Sequence, residues 1–103
     1  MTLNEFETLL KTVEPNVYHL EAEKEQLPYI VWSEYRKLYR YADNRAQQDK
    51  WRVQVDYYTK DRRASAGVHI EETLIENEVP FRYTRTFDKD QKVVRHLFDC
   101  EVT

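Results

Sequence analysis

The sequence predicts an α+β domain: a mainly antiparallel sheet of four to five strands, two helices packed on one face, and a long β-hairpin between the helices. Three observations lead there. Residues 2–13 and 61–79 carry apolar residues at helical spacing. Between them lie two segments rich in β-branched and aromatic residues, separated by a polar connector. After the second helix come two more strand-like segments, joined by the turn sequence Asp88-Lys89-Asp90-Gln91.

In the first helix, "TLNEFETLLKTV", the residues Leu3, Phe6, Leu9, Leu10 and Val13 share one face. Thr2 and Glu5 have the spacing of a capping box, in which each side chain satisfies a free amide at the helix start. Pro15 ends the segment, because the residue before a proline is disfavoured in helix. "NVYHL" is a short strand and "EAEKEQ" a charged loop. The first long strand is "YIVWSEYRKLY". "ADNRAQQD" breaks it, and "KWRVQVDYYT" returns with clean alternation: Trp51, Val53, Val55 and Tyr57 on one side, Arg52, Gln54 and Asp56 on the other.

The second helix is expected over Asp61–Val79, with Asp61 as N-cap. Its buried face is expected to hold Ala64, Gly67, Val68, Ile70, Leu74 and Ile75, and Arg62, Ser65, His69, Glu72 and Glu76 point outward. Gly67 is the sole glycine, and on an apolar helix face it permits close approach to a sheet. "FRYTRTF" and "VVRHLFDCEVT" close the domain, the latter with Val94, His96, Phe98, Cys100 and Val102 on one face. The expected core includes Leu10, Val31, Trp51, Val53, Val55, Gly67, Leu74 and Phe98.

At 103 residues the chain is one domain, 1–103, with 41% apolar and 34% charged residues, the balance of a soluble globular protein. No apolar run reaches the roughly 20 residues of a membrane span. The start "MTLNEFETLL" lacks the basic and apolar regions of a signal peptide, so a cytoplasmic location is expected. Cys100 is the only cysteine, which rules out an internal disulfide and a thiolate metal cluster.

The net charge of −3 is unevenly spread: −5 over residues 1–34, +5 over 35–63 and −3 over 64–103. Unlike surfaces on one small chain favour self-association as well as acidic partners.

Candidate chemistry is sparse. His19, His69 and His96 lack the close pairing of a zinc motif. Cys100, between Phe98 and Val102 in a strand pattern, reads as an inert buried thiol. Glu71-Glu72 and Asp88/Asp90 fall where a solvated helix and a turn would put them, and one glycine cannot make a phosphate loop. No catalytic residue, metal site or cofactor is expected. The informative stretch is Glu34–Arg52, where Arg36, Lys37, Arg40, Arg45, Lys50 and Arg52 are interleaved with Tyr35, Tyr39, Tyr41 and Trp51. These six cations form a candidate surface for a protein partner, or for phosphates with bases stacked on the aromatics.

Three stretches in order carry a family resemblance: "LPYIVW" (Leu27–Trp32), "YADNRAQQDKWRVQVDYYTKD" (Tyr41–Asp61) and, after an acidic amphipathic helix, "HLFDCEV". The chain resembles the small tail-completion proteins (tail terminators, or head–tail joining proteins) of long-tailed bacteriophages and prophages. Ala42-Asp43-Asn44 and Asp56-Tyr57-Tyr58-Thr59 stand where that family has its Ala-Asp loop and strand-closing motif. "NRAQQDK" is longer and more polar than the family pattern, and "EYRKLYR" more basic.

The resemblance implies a non-enzymatic virion protein. It would form a ring, commonly a hexamer, that ends the tail tube and docks on the head connector, with genomic DNA passing through the lumen. Its partners would be itself, tail-tube protein, head connector protein and, passively, DNA. Its location would be the host cytoplasm during assembly and then the head–tail junction. The alternative is a small nucleic-acid-binding regulatory protein that uses the basic 36–52 stretch.

Overall fold

The structure is a computed structural model and describes residues 1–39 and 50–103, with the backbone of 41–42 and 45–46. The chain runs α1 (Leu3–Lys11), β1 (Val17–His19), β2 (Tyr29–Leu38), β3 (Tyr41–Ala42), β4 (Arg45–Ala46), β5 (Lys50–Thr59), a 3-10 turn (Ala64–Gly67), α2 (Val68–Glu76), β6 (Phe81–Asp88) and β7 (Val93–Val102). The five-stranded sheet has the order β1-β2-β5-β7-β6, antiparallel throughout except for the parallel β1–β2 pair. The α+β fold with a mainly antiparallel sheet is therefore as expected. The connector within the hairpin, read as a simple break, contains the paired β3 and β4.

The capping box at α1 is formed: Thr2 Oγ1 accepts from the Glu5 amide at 3.1 Å, and Glu5 Oε1 accepts from the Thr2 amide at 3.1 Å. The helix buries Phe6 and Leu10, one turn apart, and each apolar side chain so buried contributes roughly 1.5–3 kcal/mol. α2 adds Ile70 and Leu74 to the same core. These pack on the inward residues of the sheet, chiefly Ile30 and Trp32 of β2, Val53 and Val55 of β5, and Phe98, Cys100 and Val102 of β7. Both helices thus lie on one face. β7 alternates buried and half-buried along its whole length, with Val94, His96, Phe98, Cys100 and Val102 inward as expected.

Three expectations are corrected. Val31 is half-buried on the opposite face, and Ile30 and Trp32 take the core positions. "YIVW" contains no polar residue to set the phase, and the pairing of Ile30 with Tyr57 and Trp32 with Val55 sets it instead. Trp51 packs at the margin of the core and is only partly buried. The second helix begins at Val68, not near Asp61. Asp61 accepts from the Arg63 amide at 3.0 Å and from its guanidinium at 2.8 and 3.0 Å, a local turn that competes with helix capping. Starting the helix after a 3-10 turn changes its phase, so Ala64 is exposed and Ile75 is 60% exposed, while Gly67, Ile70 and Leu74 are buried.

The β2–β5 ladder slips by one residue between Glu34 and Arg36, a bulge at Tyr35, and then continues to Leu38↔Lys50. β7 reaches only as far as the Trp51↔Val102 pair. The β2–β5 ladder therefore outruns β7 by one described pair. The molecule measures 51 × 26 × 24 Å with a radius of gyration of 14.7 Å, against about 13 Å for a compact domain of this length. Among the described residues, no helix is long and apolar enough to cross a membrane.

Candidate interaction surface

Cys100 and His96, both on β7, are enclosed by packing. Cys100 is fully buried on β7, and burial, then the Asp99 carboxylate, pushes its thiol up to about 12. No thiolate is available there near neutral pH. His96 is also fully buried. Its Nδ1 lies 2.6 Å from Tyr83 Oη, while Nε2 is buried without a hydrogen-bond partner. Burial, then the Arg85 charge, holds its pKa below the usual imidazole value, with Asp61 acting the other way. Among the described residues, no group of three or more His, Cys, Asp or Glu side chains is placed to hold a metal ion. His69 is exposed on α2, as expected. His19 Nε2 is 2.7 Å from Glu34 Oε1, and the ring stacks on Trp32 at 4.2 Å.

The face of the sheet away from the helices is polar and cross-linked between strands. Asp56 on β5 meets Arg95 on β7 at 3.1 Å and also accepts from Gln54. Tyr35, the bulge residue, donates to Asp99 at 2.7 Å. Toward the base of the hairpin, Arg52 donates to Glu101 at 3.2 Å, and Lys50 lies 3.8 Å from the same carboxylate. At the other end Tyr29 and Tyr58 stack at 4.9 Å. Their placement follows from register: Tyr29 pairs with Tyr58, and Arg52 with Glu101.

Of the six cations expected to form a surface, Lys50 and Arg52 converge on Glu101. Arg36 is exposed, stands opposite Arg52 across the β2–β5 ladder and makes no ion pair among the described residues. Lys37 lies 5.2 Å over the ring of Tyr39 and 5.3 Å over that of Trp51. Arg40, Asp43, Asn44 and the side chain of Arg45 lie outside the described residues. Trp51 is committed to the core margin and to Lys37, so it is not an open platform for bases.

Two features escaped the sequence reading. One is Glu101, whose role as a counterion depends on β5 and β7 being neighbours, which strand order alone decides. The other is β6, an edge strand whose residues Arg82–Asp88 are all exposed. Arg85, which stands where the Phe81, Tyr83 and Phe87 alternation calls for an apolar residue, is the signal that could have marked it. No protein-family model matches the chain, and no curated protein matches it.

Proposed function

We infer that the protein is a non-enzymatic assembly component, a tail-completion protein that associates as a ring, ends a tail tube and joins it to a head connector. The observation that carries this reading is the end of the β2–β5 ladder, which runs one pair, Leu38↔Lys50, beyond the last β5–β7 pair, with Arg36 exposed nearby on β2. A two-stranded ladder end suits contact with a neighbouring protein better than enclosure of a small substrate. The order of "LPYIVW", the Ala42-Asp43-Asn44 step and the closing "HLFDCEV" supports the same family. The burial of His96 and Cys100 supports the non-enzymatic reading.

The nucleic-acid alternative is less well supported by the same geometry. Lys50 and Arg52 are already partnered by Glu101, and Trp51 is packed. Phosphate binding needs cations that give up only water and salt ions.

The test is co-assembly. Tail-tube protein of a long-tailed phage, polymerised with this protein present, should give shorter tubes with added density at one end by electron microscopy. Arg36→Glu, Arg40→Glu and Arg45→Glu together should abolish that density. Tubes of unchanged length, with no binding to tube protein, would sink the reading, and DNA binding at low salt with a steep salt dependence would favour the alternative.

A further inference from the structure

We propose that copies of this chain join head to tail through opposite ends of the sheet: the basic free edge of β6 on one copy against β1 and the acidic loop after it on the next. This deepens, and rests on, the assembly reading above. The sheet order leaves β1 and β6 with one neighbour each, so among the described residues each has an unpaired edge. An exposed, unpaired strand edge is a template for another chain. β6 is long for such an edge, with eight residues, and carries Tyr83 and Phe87, each 41% exposed.

The two ends have opposite charge. At the β6 end stand Arg82, Arg85 and Arg62, the last lying 5.0 Å over the Phe87 ring. Arg85 donates to the Arg62 carbonyl, and none of the three makes an ion pair among the described residues. At the β1 end the loop holds Glu21, Glu23 and Glu25 against the single Lys24, all exposed, and the three carboxylates have no ion pair among the described residues. Leu20 starts this loop. Its backbone is left-handed (φ 72°), an unfavourable conformation for a leucine, held by its amide donating to the Trp32 carbonyl at 2.9 Å, and the residue is 65% exposed. An apolar residue fixed in solvent beside three carboxylates complements aromatic rings flanked by guanidinium groups.

Charge also selects this contact over its competitor. A two-fold pairing of β6 with β6 would gather the guanidinium groups of both copies in one interface, whereas the head-to-tail contact pairs unlike charges. A contact between different patches closes into a ring when its rotation allows.

The experiment is sedimentation velocity on the full chain over a concentration series. The variants are Arg82→Glu/Arg85→Glu and Glu21→Lys/Glu23→Lys/Glu25→Lys, alone and mixed in equal amounts. All five side chains are exposed, so circular dichroism should match the unaltered protein. The unaltered chain should associate, each reversal should weaken association at least tenfold, and the mixture should restore it, because each variant then offers the edge the other needs. Loss on the β6 reversal with none on the loop reversal would mean β6–β6 pairing and overturn the proposal. Association untouched by both reversals would overturn it and leave the assembly reading standing, as would a monomer that still caps tubes. A monomer that caps nothing would end both.

Discussion

Gly67 and His96 are packed so closely that a β-carbon at residue 67 would stand 3.0 Å from the imidazole Nδ1 and 3.3 Å from Cγ. The 3-10 turn can settle on β7 at this distance because residue 67 has no side chain. The ring cannot easily retreat, since it is fully buried and the same Nδ1 is 2.6 Å from the Tyr83 hydroxyl. Gly67→Ala would gain about 0.4–1 kcal/mol by restricting the unfolded chain. Overpacking costs about 1–3 kcal/mol and outweighs it. A net loss of about 1–2 kcal/mol is expected in urea denaturation, and an unchanged midpoint would mean that the ring gives way.

His96 also sets a pH dependence. In the neutral ring one nitrogen is a donor and the other an acceptor, so the Tyr83 bond can be kept. Protonation makes both nitrogens donors and leaves a charged N–H at the buried, unpartnered Nε2. The folded pKa is accordingly below 6.5, whereas the unfolded value is near it. Below about pH 6.5 the unfolded chain takes up a proton that the folded chain resists, so stability falls as pH drops toward the depressed folded value. Asp61, lowered to about 2 chiefly by its hydrogen bonds from Arg63, acts in a separate window below 3.8. Unfolding free energies at pH 7.5, 6.0 and 5.0 should decline, and His96→Gln, though less stable throughout, should flatten the trend over that range.

The indole of Trp32 joins sheet to helix. Trp32 is buried, and its Nε1–H donates to Glu7 Oε2 on α1 at 2.9 Å. Glu7→Ala would strand that donor and lower stability by about 1–2 kcal/mol, while Glu7→Gln keeps an acceptor and should lose less than half as much. The Glu7–Lys11 pair at 3.2 Å is exposed on the lysine side and contributes a few tenths of a kcal/mol at most. Thermal unfolding of Lys11→Ala beside the two Glu7 variants separates the terms. Equal losses in Glu7→Ala and Lys11→Ala would show that the ion pair, not the indole, matters.

Cys100 should report unfolding. With the thiol at about 12, roughly one molecule in ten thousand carries a thiolate at pH 8, and that sulfur is buried. Iodoacetamide labelling should be negligible in the native protein and rise across the urea transition in step with loss of tertiary signal. Rapid labelling without denaturant would contradict the burial.

How much of this was legible in the sequence depended on whether local pattern sufficed. The alternation of β7 placed all five inward residues, and Thr2 with Glu5 announced the start of α1, because both signals are contained in a few neighbouring residues. The phase of "YIVW" was not legible, since four apolar residues look alike until β5 is laid beside them. The start of α2 was misread because an aspartate can bond either a helix amide or its own turn, and Asp61 bonds Arg63. The candidate surface was half legible. Its cations are plain in the sequence, but the counterion Glu101 and the edge position of β6 follow from a strand order that local pattern does not encode.

The overhang of the β2–β5 ladder beyond β7 has an evolutionary consequence. Val53 and Val55 on β5 are flanked by both β2 and β7, whereas among the described residues Leu38 and Lys50 have only each other as ladder partners, with the Lys50 side chain reaching Glu101 at 3.8 Å. A substitution at half-buried Leu38 should therefore disturb the core less than one at Val53 or Val55, which are fully buried. Such a layout lets a lineage vary the end of the ladder more freely than its centre, where selection for packing acts on Val53 and Val55.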